Sequence, residues 1–122
     1  MDPHDRQRSP SDVMRAMVAA FDTGDVRELE HFVDASYLDH QGLPHIRPVE
    51  GVDGFRLVIE LARSGYQDLS VEIADLIEGS DRCAARLVWA GVRPSGERDE
   101  PETLEIVRVE SGRAVEHWGG YS

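Results

Sequence analysis

A single cysteine, Cys83, stands in a chain of 122 residues. One thiol excludes an internal disulfide and a metal site built on several thiolates, and it agrees with a reducing cytoplasm. No run of 18 apolar residues occurs, which excludes a membrane-spanning helix. Positive charge is scarce: 13 Lys and Arg face 24 Asp and Glu, for a formal net charge of -11. That sign opposes phosphate backbones and anionic lipids, so neither nucleic acid nor membrane is an expected partner. The opening stretch MDPHDRQRSP lacks the apolar segment of a secretion signal, and a cytoplasmic protein is expected. No internal repeat and no change of composition marks a second domain. The glycine-rich stretches lack the strand context and spacing of a phosphate loop.

The length fits one domain with one core. Residues 1–8 read as a tail and 9–122 as the domain. Ser9-Pro10, with Asp12 in the first turn, predicts a helix start. Val13, Met14, Met17, Val18 and Phe21 then form an apolar stripe at helical spacing, and Gly24 is the expected C-cap. Asp25 and Glu28 have capping-box spacing, so a second short helix burying Leu29, Phe32 and Val33 is expected. ASYLDHQG reads as a short extended piece and LPHIRPVEG as a loop. VDGFRLVIELARSG predicts a third helix, with Phe55, Val58, Ile59 and Ala62 on one face.

From Asp68 the apolar period falls to two. Four strands are expected, in LSVEIADLIEG, DRCAARLVWAGVR, ETLEIVRVES and RAVEHWG, with tight turns at GSD and SGR. The charged PSGERDEP reads as a mobile flap. Helices followed by strands argue an α+β fold: three N-terminal helices on the concave face of a curved antiparallel sheet.

FDTGD, YLDHQG, GVDGF, GSDRCAARLVWAG and GRAVEHWG follow one another in this chain. That order resembles the SnoaL-like polyketide cyclases and ester cyclases, within the superfamily of nuclear transport factor 2 and ketosteroid isomerase. The resemblance runs from about Val13 to Trp118. It implies a cone-shaped, cystatin-like α+β barrel with an apolar pocket, a homodimer or tetramer, and no metal or organic cofactor. It further implies acid/base chemistry on an apolar polyketide or similar natural-product intermediate, by ring closure, isomerisation or dehydration. Epoxide opening and a non-catalytic ligand-binding or dimerising domain are the alternatives. In the family an aspartate usually follows the Glu-His-Trp triplet as acid/base, whereas this chain has Gly119. The histidine turn of the longer cyclases is replaced by AGVRPSGE.

Proton transfer needs a group that titrates near the working pH in a site poor in water. Of five histidines, His4 falls in the tail, His31 on a polar helix face and His45 in a proline-flanked loop. His40 and His117 are the catalytic candidates, with Asp39 and Glu116 as partners. Tyr37, Trp89, Trp118 and Arg108 are expected to shape the pocket and hold the substrate, Arg108 by polarising a carbonyl. Alternation leaves two arrangements of the last strand open: His117 faces inward, or Glu116 and Trp118 do. Cys83, Ala85, Leu87 and Trp89 share one face suited to a pocket wall. Arg86, on the other face, is expected to pair with Glu105 or Glu116. Tyr66 and Tyr121 are candidate phenol donors to an oxyanion, with loop or interface packing the favoured reading.

Overall fold

The computed structural model describes residues 7–41 and 49–121, so His4 and His45 lie outside the described residues. The first helix, α1 (Pro10–Thr23), begins on a capping box. The Ser9 hydroxyl accepts from the Asp12 backbone N–H, and the Asp12 carboxylate accepts from that of Ser9. Val13, Met14, Met17 and Val18 are buried along its inner face. It ends at Gly24, whose φ of 77° and close approach to the Arg63 side chain both disfavour a β-carbon.

The expected second helix is reduced to one 3-10 turn, Leu29–His31. Asp25 does not cap a helix: its carboxylate accepts from the Arg27 backbone N–H and pairs with the Arg27 guanidinium, folding the segment on itself. Leu29 still reaches the core, and Val33 already belongs to a strand. Two helices rather than three therefore cover the sheet. The second is α2 (Gly51–Ser64), which buries Phe55 and Ile59. Arg63 in its last turn donates to the carbonyls of Phe21 (2.6 Å) and Asp22 (2.9 Å), partnering the open end of α1. The Asp22 carboxylate in turn accepts from the Val71 backbone, so one corner joins both helices to the sheet.

The strands are β1 (Val33–Asp39), β2 (Val49–Glu50), β3 (Gln67–Glu78), β4 (Arg82–Val92), β5 (Arg98–Asp99), β6 (Glu102–Glu110) and β7 (Arg113–Tyr121). Their order across the sheet is β2-β1-β7-β6-β4-β3, with β5 paired to β4. The sheet is not wholly antiparallel, because β1 runs parallel to β7. Alternation reports which face a side chain takes and carries nothing about strand direction, so this pairing was invisible in the sequence. The parallel pair brings Asp39 beside His117. The charged PSGERDEP segment contributes β5 and is tied down: Asp99 pairs with Arg93 and accepts from the Tyr66 hydroxyl. Gln7 and Arg8, expected in the tail, sit against the Gly112 turn, and Arg8 donates to the His31 carbonyl.

Bulges interrupt β3 at Ile73/Asp75 and β6/β7 at Arg108/Val109. Such irregularities bend strands locally, which suits a sheet that curves around its helices. Along β4 the inner side chains are Cys83, Ala85, Leu87 and Trp89; along β6 they are Thr103, Glu105, Val107 and Val109. Leu29 is fully buried although its element is only one turn long. Leu29→Ala is expected to cost about 3 kcal/mol, as a cavity in a close-packed core does, read as a lower midpoint in urea unfolding.

Candidate active site

Between the helices and the inner sheet face lies a cavity of about 560 Å³. Its walls are apolar: Met14, Met17 and Phe21 of α1, Phe55, Val58 and Ala62 of α2, Leu87 and Trp89 of β4. Phe21 stands edge-on to both Phe55 and Trp89, at ring separations of 5.6 and 5.3 Å, which fixes the aromatic lining. Leu61 and Tyr121 line it while remaining exposed, so they mark the mouth. Tyr37, Asp39, Glu105 and His117 are all buried, and they form the floor.

The floor is built by three neighbouring strands. Asp39 ends β1, His117 sits on β7, and Glu105 sits on β6. His117 Nδ1 lies 2.9 Å from Asp39 Oδ1, and His117 Nε2 lies 2.6 Å from Glu105 Oε1. Each contact needs a proton, and a neutral imidazole carries only one N–H. An imidazolium between two carboxylates supplies both, giving the array a net charge of about -1. Burial alone drives the His117 pKa down, but the hydrogen bonds to Asp39 and Glu105 outweigh it and hold the ring at about 9. Asp39 also accepts from the Gln41 backbone N–H and, weakly at 3.4 Å, from the Tyr37 hydroxyl. Burial, then the Asp39 charge, pushes the Tyr37 pKa well above its ordinary value, so it stays a neutral phenol. Glu105 Oε2 receives no hydrogen bond from the described residues and lines the cavity as an open acceptor.

This geometry resolves the last strand. His117 faces inward; Glu116 and Trp118 face outward. Of the sequence candidates, the structure brings Asp39, His117, Tyr37 and Trp89 to the cavity. It places His40, Glu116, Trp118 and Arg108 on the opposite face of the sheet, because each is one residue out of phase with an inward neighbour. There they form a second cluster. Glu116 bridges His40 and Arg108, both at 2.7 Å, and these two partners lower its pKa, His40 first. The His40 ring stacks on Trp118 at 5.0 Å, and Arg82 lies 5.2 Å over the same indole.

Glu105 escaped the sequence reading, which offered it to Arg86 on the outer face. Arg86 instead pairs with Asp75 and Glu102. The alternation Thr103, Glu105, Val107, Val109 was the available signal, since it puts this carboxylate among inward residues. Gly119 completes the account. It is the cross-strand partner of Glu105, and a β-carbon there would lie 2.6 Å from Glu105 Oε1 and 2.7 Å from Gln41 Oε1. The Glu105 carboxylate fills the space that a side chain at position 119 would need. Among the described residues no cluster of His, Cys, Asp and Glu is arranged to hold a metal ion, and both His117 nitrogens are already committed to carboxylates.

A curved sheet closed by two helices around an apolar chamber, with its carboxylates and imidazole on the floor, defines a small α+β barrel with an internal cavity of the size usual for small-molecule sites. Within that class the chain belongs to the SnoaL-like polyketide cyclase family, whose model matches residues 11–121. It is 22% identical over 121 residues to the aklanonic acid methyl ester cyclase DnrD of Streptomyces peucetius, covering 90% of this chain and 83% of that one. Among solved structures it is similar to a putative polyketide cyclase from Bacillus cereus, with a TM-score of 0.81 and 25% identity over 91% of this chain and 72% of the other. Wild-type IdmH from Streptomyces antibioticus, a putative polyketide cyclase, superposes with a TM-score of 0.79 and 25% identity over 93% and 91% of the two chains.

The raised His117 pKa carries a stability consequence with a definite sign. The folded state holds the proton to about pH 9, the unfolded state only to about 6.5. This contribution, on the order of 3 kcal/mol, is complete below about pH 6.5 and lost as pH rises to about 9. Unfolding free energy measured from about pH 6 to about pH 10 is expected to fall across that window. His117→Leu is expected to be less stable at neutral pH by about 3–5 kcal/mol, because two buried carboxylates lose their shared cation.

Proposed function

We propose that this chain is a cofactor-independent acid/base enzyme of cyclase type, acting on an apolar, carbonyl-bearing natural-product intermediate. One observation carries the reading: an open carboxylate oxygen, Glu105 Oε2, stands at the floor of an apolar cavity, backed by the His117–Asp39 pair. Glu105 takes a proton from the carbon next to a carbonyl. The resulting enolate carbon attacks a second carbonyl of the same molecule, a carbon–carbon bond forms, and the new alkoxide receives the proton back. No electrons leave the substrate and no co-reactant is consumed.

The His117 imidazolium steadies Glu105 in both protonation states, since Nε2–H can bond to a carboxylate or to a carboxylic acid. Asp39 holds the ring through Nδ1 and balances its charge. When Glu105 gains its proton the array passes from a net charge of about -1 to neutral. The volume of about 560 Å³ falls within the usual range for small-molecule sites. DnrD is named for a methyl ester, and a neutral ester of that kind suits a floor that already carries negative charge.

The outer sheet face supports a homodimer. Leu104 and Ile106 are 52% and 41% exposed there, beside the Trp118–Arg82 stack, and would be covered by a second copy. Leu104→Glu with Ile106→Glu is expected to shift the sedimentation coefficient from dimer to monomer while the cavity still forms; an unchanged oligomeric state in that variant contradicts the dimer.

Aklanonic acid methyl ester is the first substrate to assay, with ring closure followed by chromatography and deuterium uptake from heavy water at the acidic carbon as a partial reaction. Glu105→Gln, which keeps shape and burial, is expected to lower both by about 10² or more. His40→Ala, on the far face, is expected to leave both within about threefold. Wild-type exchange in Glu105→Gln would remove the carboxylate from the chemistry.

A further inference from the structure

An enolate needs a donor at its oxygen as well as a base at its carbon. Among the described residues the cavity lining contains no arginine, and the chain contains no lysine. The hydroxyl protons of two lining phenols are already engaged: Tyr66 donates to Asp99 at 2.8 Å, and Tyr37 is directed to Asp39. Tyr121 sits at the mouth, 82% exposed.

Thr103 differs. It is buried, lines the cavity, and lies on the same inward face of β6 as Glu105, two residues away. Trp89 Nε1 lies 2.9 Å from Thr103 Oγ1. An indole N–H only donates, so it occupies a lone pair of the hydroxyl and leaves the threonine's own proton to give. Among the described residues no acceptor takes that proton. A hydroxyl that accepts one hydrogen bond donates the next more strongly, because the chain polarises cooperatively. The indole is itself held, edge-on to Phe21 at 5.3 Å.

Spacing completes the case. Inward residues two apart on a strand are separated by roughly 6.5–7 Å. A carbonyl oxygen and its neighbouring carbon bridge that span with one contact at each end: oxygen at Thr103, acidic C–H at Glu105.

We propose that Thr103 is a catalytic residue, donating its hydroxyl proton in a hydrogen bond to the substrate carbonyl oxygen as it becomes an enolate, and that Trp89 is the positioning residue that aims it. The proposal rests on the acid/base reading above. It specifies the substrate further, as a neutral ketone or ester whose carbonyl enters beside Trp89 with its acidic carbon toward the floor.

The test uses 2-acetylnaphthalene carrying a carbon-13 carbonyl as an infrared probe, bound to the full chain. Thr103→Val keeps the shape and β-branching of the residue and removes only the hydroxyl. The bound carbonyl band is expected at lower frequency in the wild type than in Thr103→Val. Thr103→Ser is expected to retain the wild-type position, and Trp89→Phe to fall between. With a cyclisation substrate, kcat is expected to fall by about 10²–10³ in Thr103→Val, while KM changes by less than about threefold. An unmoved band and an unchanged kcat in Thr103→Val overturn the proposal. Glu105→Gln separates it from the acid/base reading. A band that moves with Thr103 while Glu105→Gln exchanges deuterium normally upholds the hydrogen bond and sinks the base. A band indifferent to Thr103 while Glu105→Gln blocks exchange does the reverse.

Discussion

The bond from His117 to two carboxylates at once is the constraint on which the rest turns. It spans three adjacent strands, with Asp39 on β1, His117 on β7 and Glu105 on β6. Two carboxylates so close together cannot both remain charged away from water without a cation between them. The imidazolium is that cation, and its two N–H groups point in the two required directions. The same contacts lock the parallel β1–β7 register to the antiparallel β7–β6 register, and set the floor of the cavity while they set the sheet.

On the acid/base reading proposed above, function and stability share atoms. The array leaves one carboxylate oxygen open toward an apolar chamber and keeps every other polar atom of the floor engaged. A buried charged cluster is a poor way to stabilise a fold compared with apolar packing. On the proposed reading, its presence under a chamber wide enough for a small molecule is explained by what it does to a ligand. Gly119 belongs to the same design: the missing side chain is the room in which Glu105 lies.

The two faces of the sheet divide the labour. Inward positions of β4, β6 and β7 supply Leu87, Trp89, Thr103, Glu105 and His117; outward positions supply Arg82, Arg86, Arg108, Glu116 and Trp118. Side chains one residue apart, such as His117 and Trp118, thus enter different chemistries. The inner set is short of cations, and the outer set is laced with ion pairs.

Much of the fold was legible in the sequence, because it depends on local rules. The Ser9–Asp12 cap, the stripe of α1, the face of α2 and the period-two runs of β3, β4, β6 and β7 are each written in neighbouring residues. The helix expected around Leu29 was not formed, since Asp25 turned to Arg27 instead of capping it, and both outcomes fit the same local residues. The site was legible only in part. Asp39, His117, Tyr37 and Trp89 stood out by type, but His40, Glu116, Trp118 and Arg108 stood out equally and face the other way. Nothing local chooses between the two phases of a strand; the choice comes from which phase lets the apolar set meet the helices. Glu105 was hidden for a related reason: a glutamate in an acidic chain reads as surface until a histidine twelve residues later is seen to bond to it. The sequence thus determined the elements and the alternation. The tertiary structure decided the parallel pairing of β1 with β7, and with it which acid meets which base, because that pairing joins residues nearly eighty positions apart that no local rule connects.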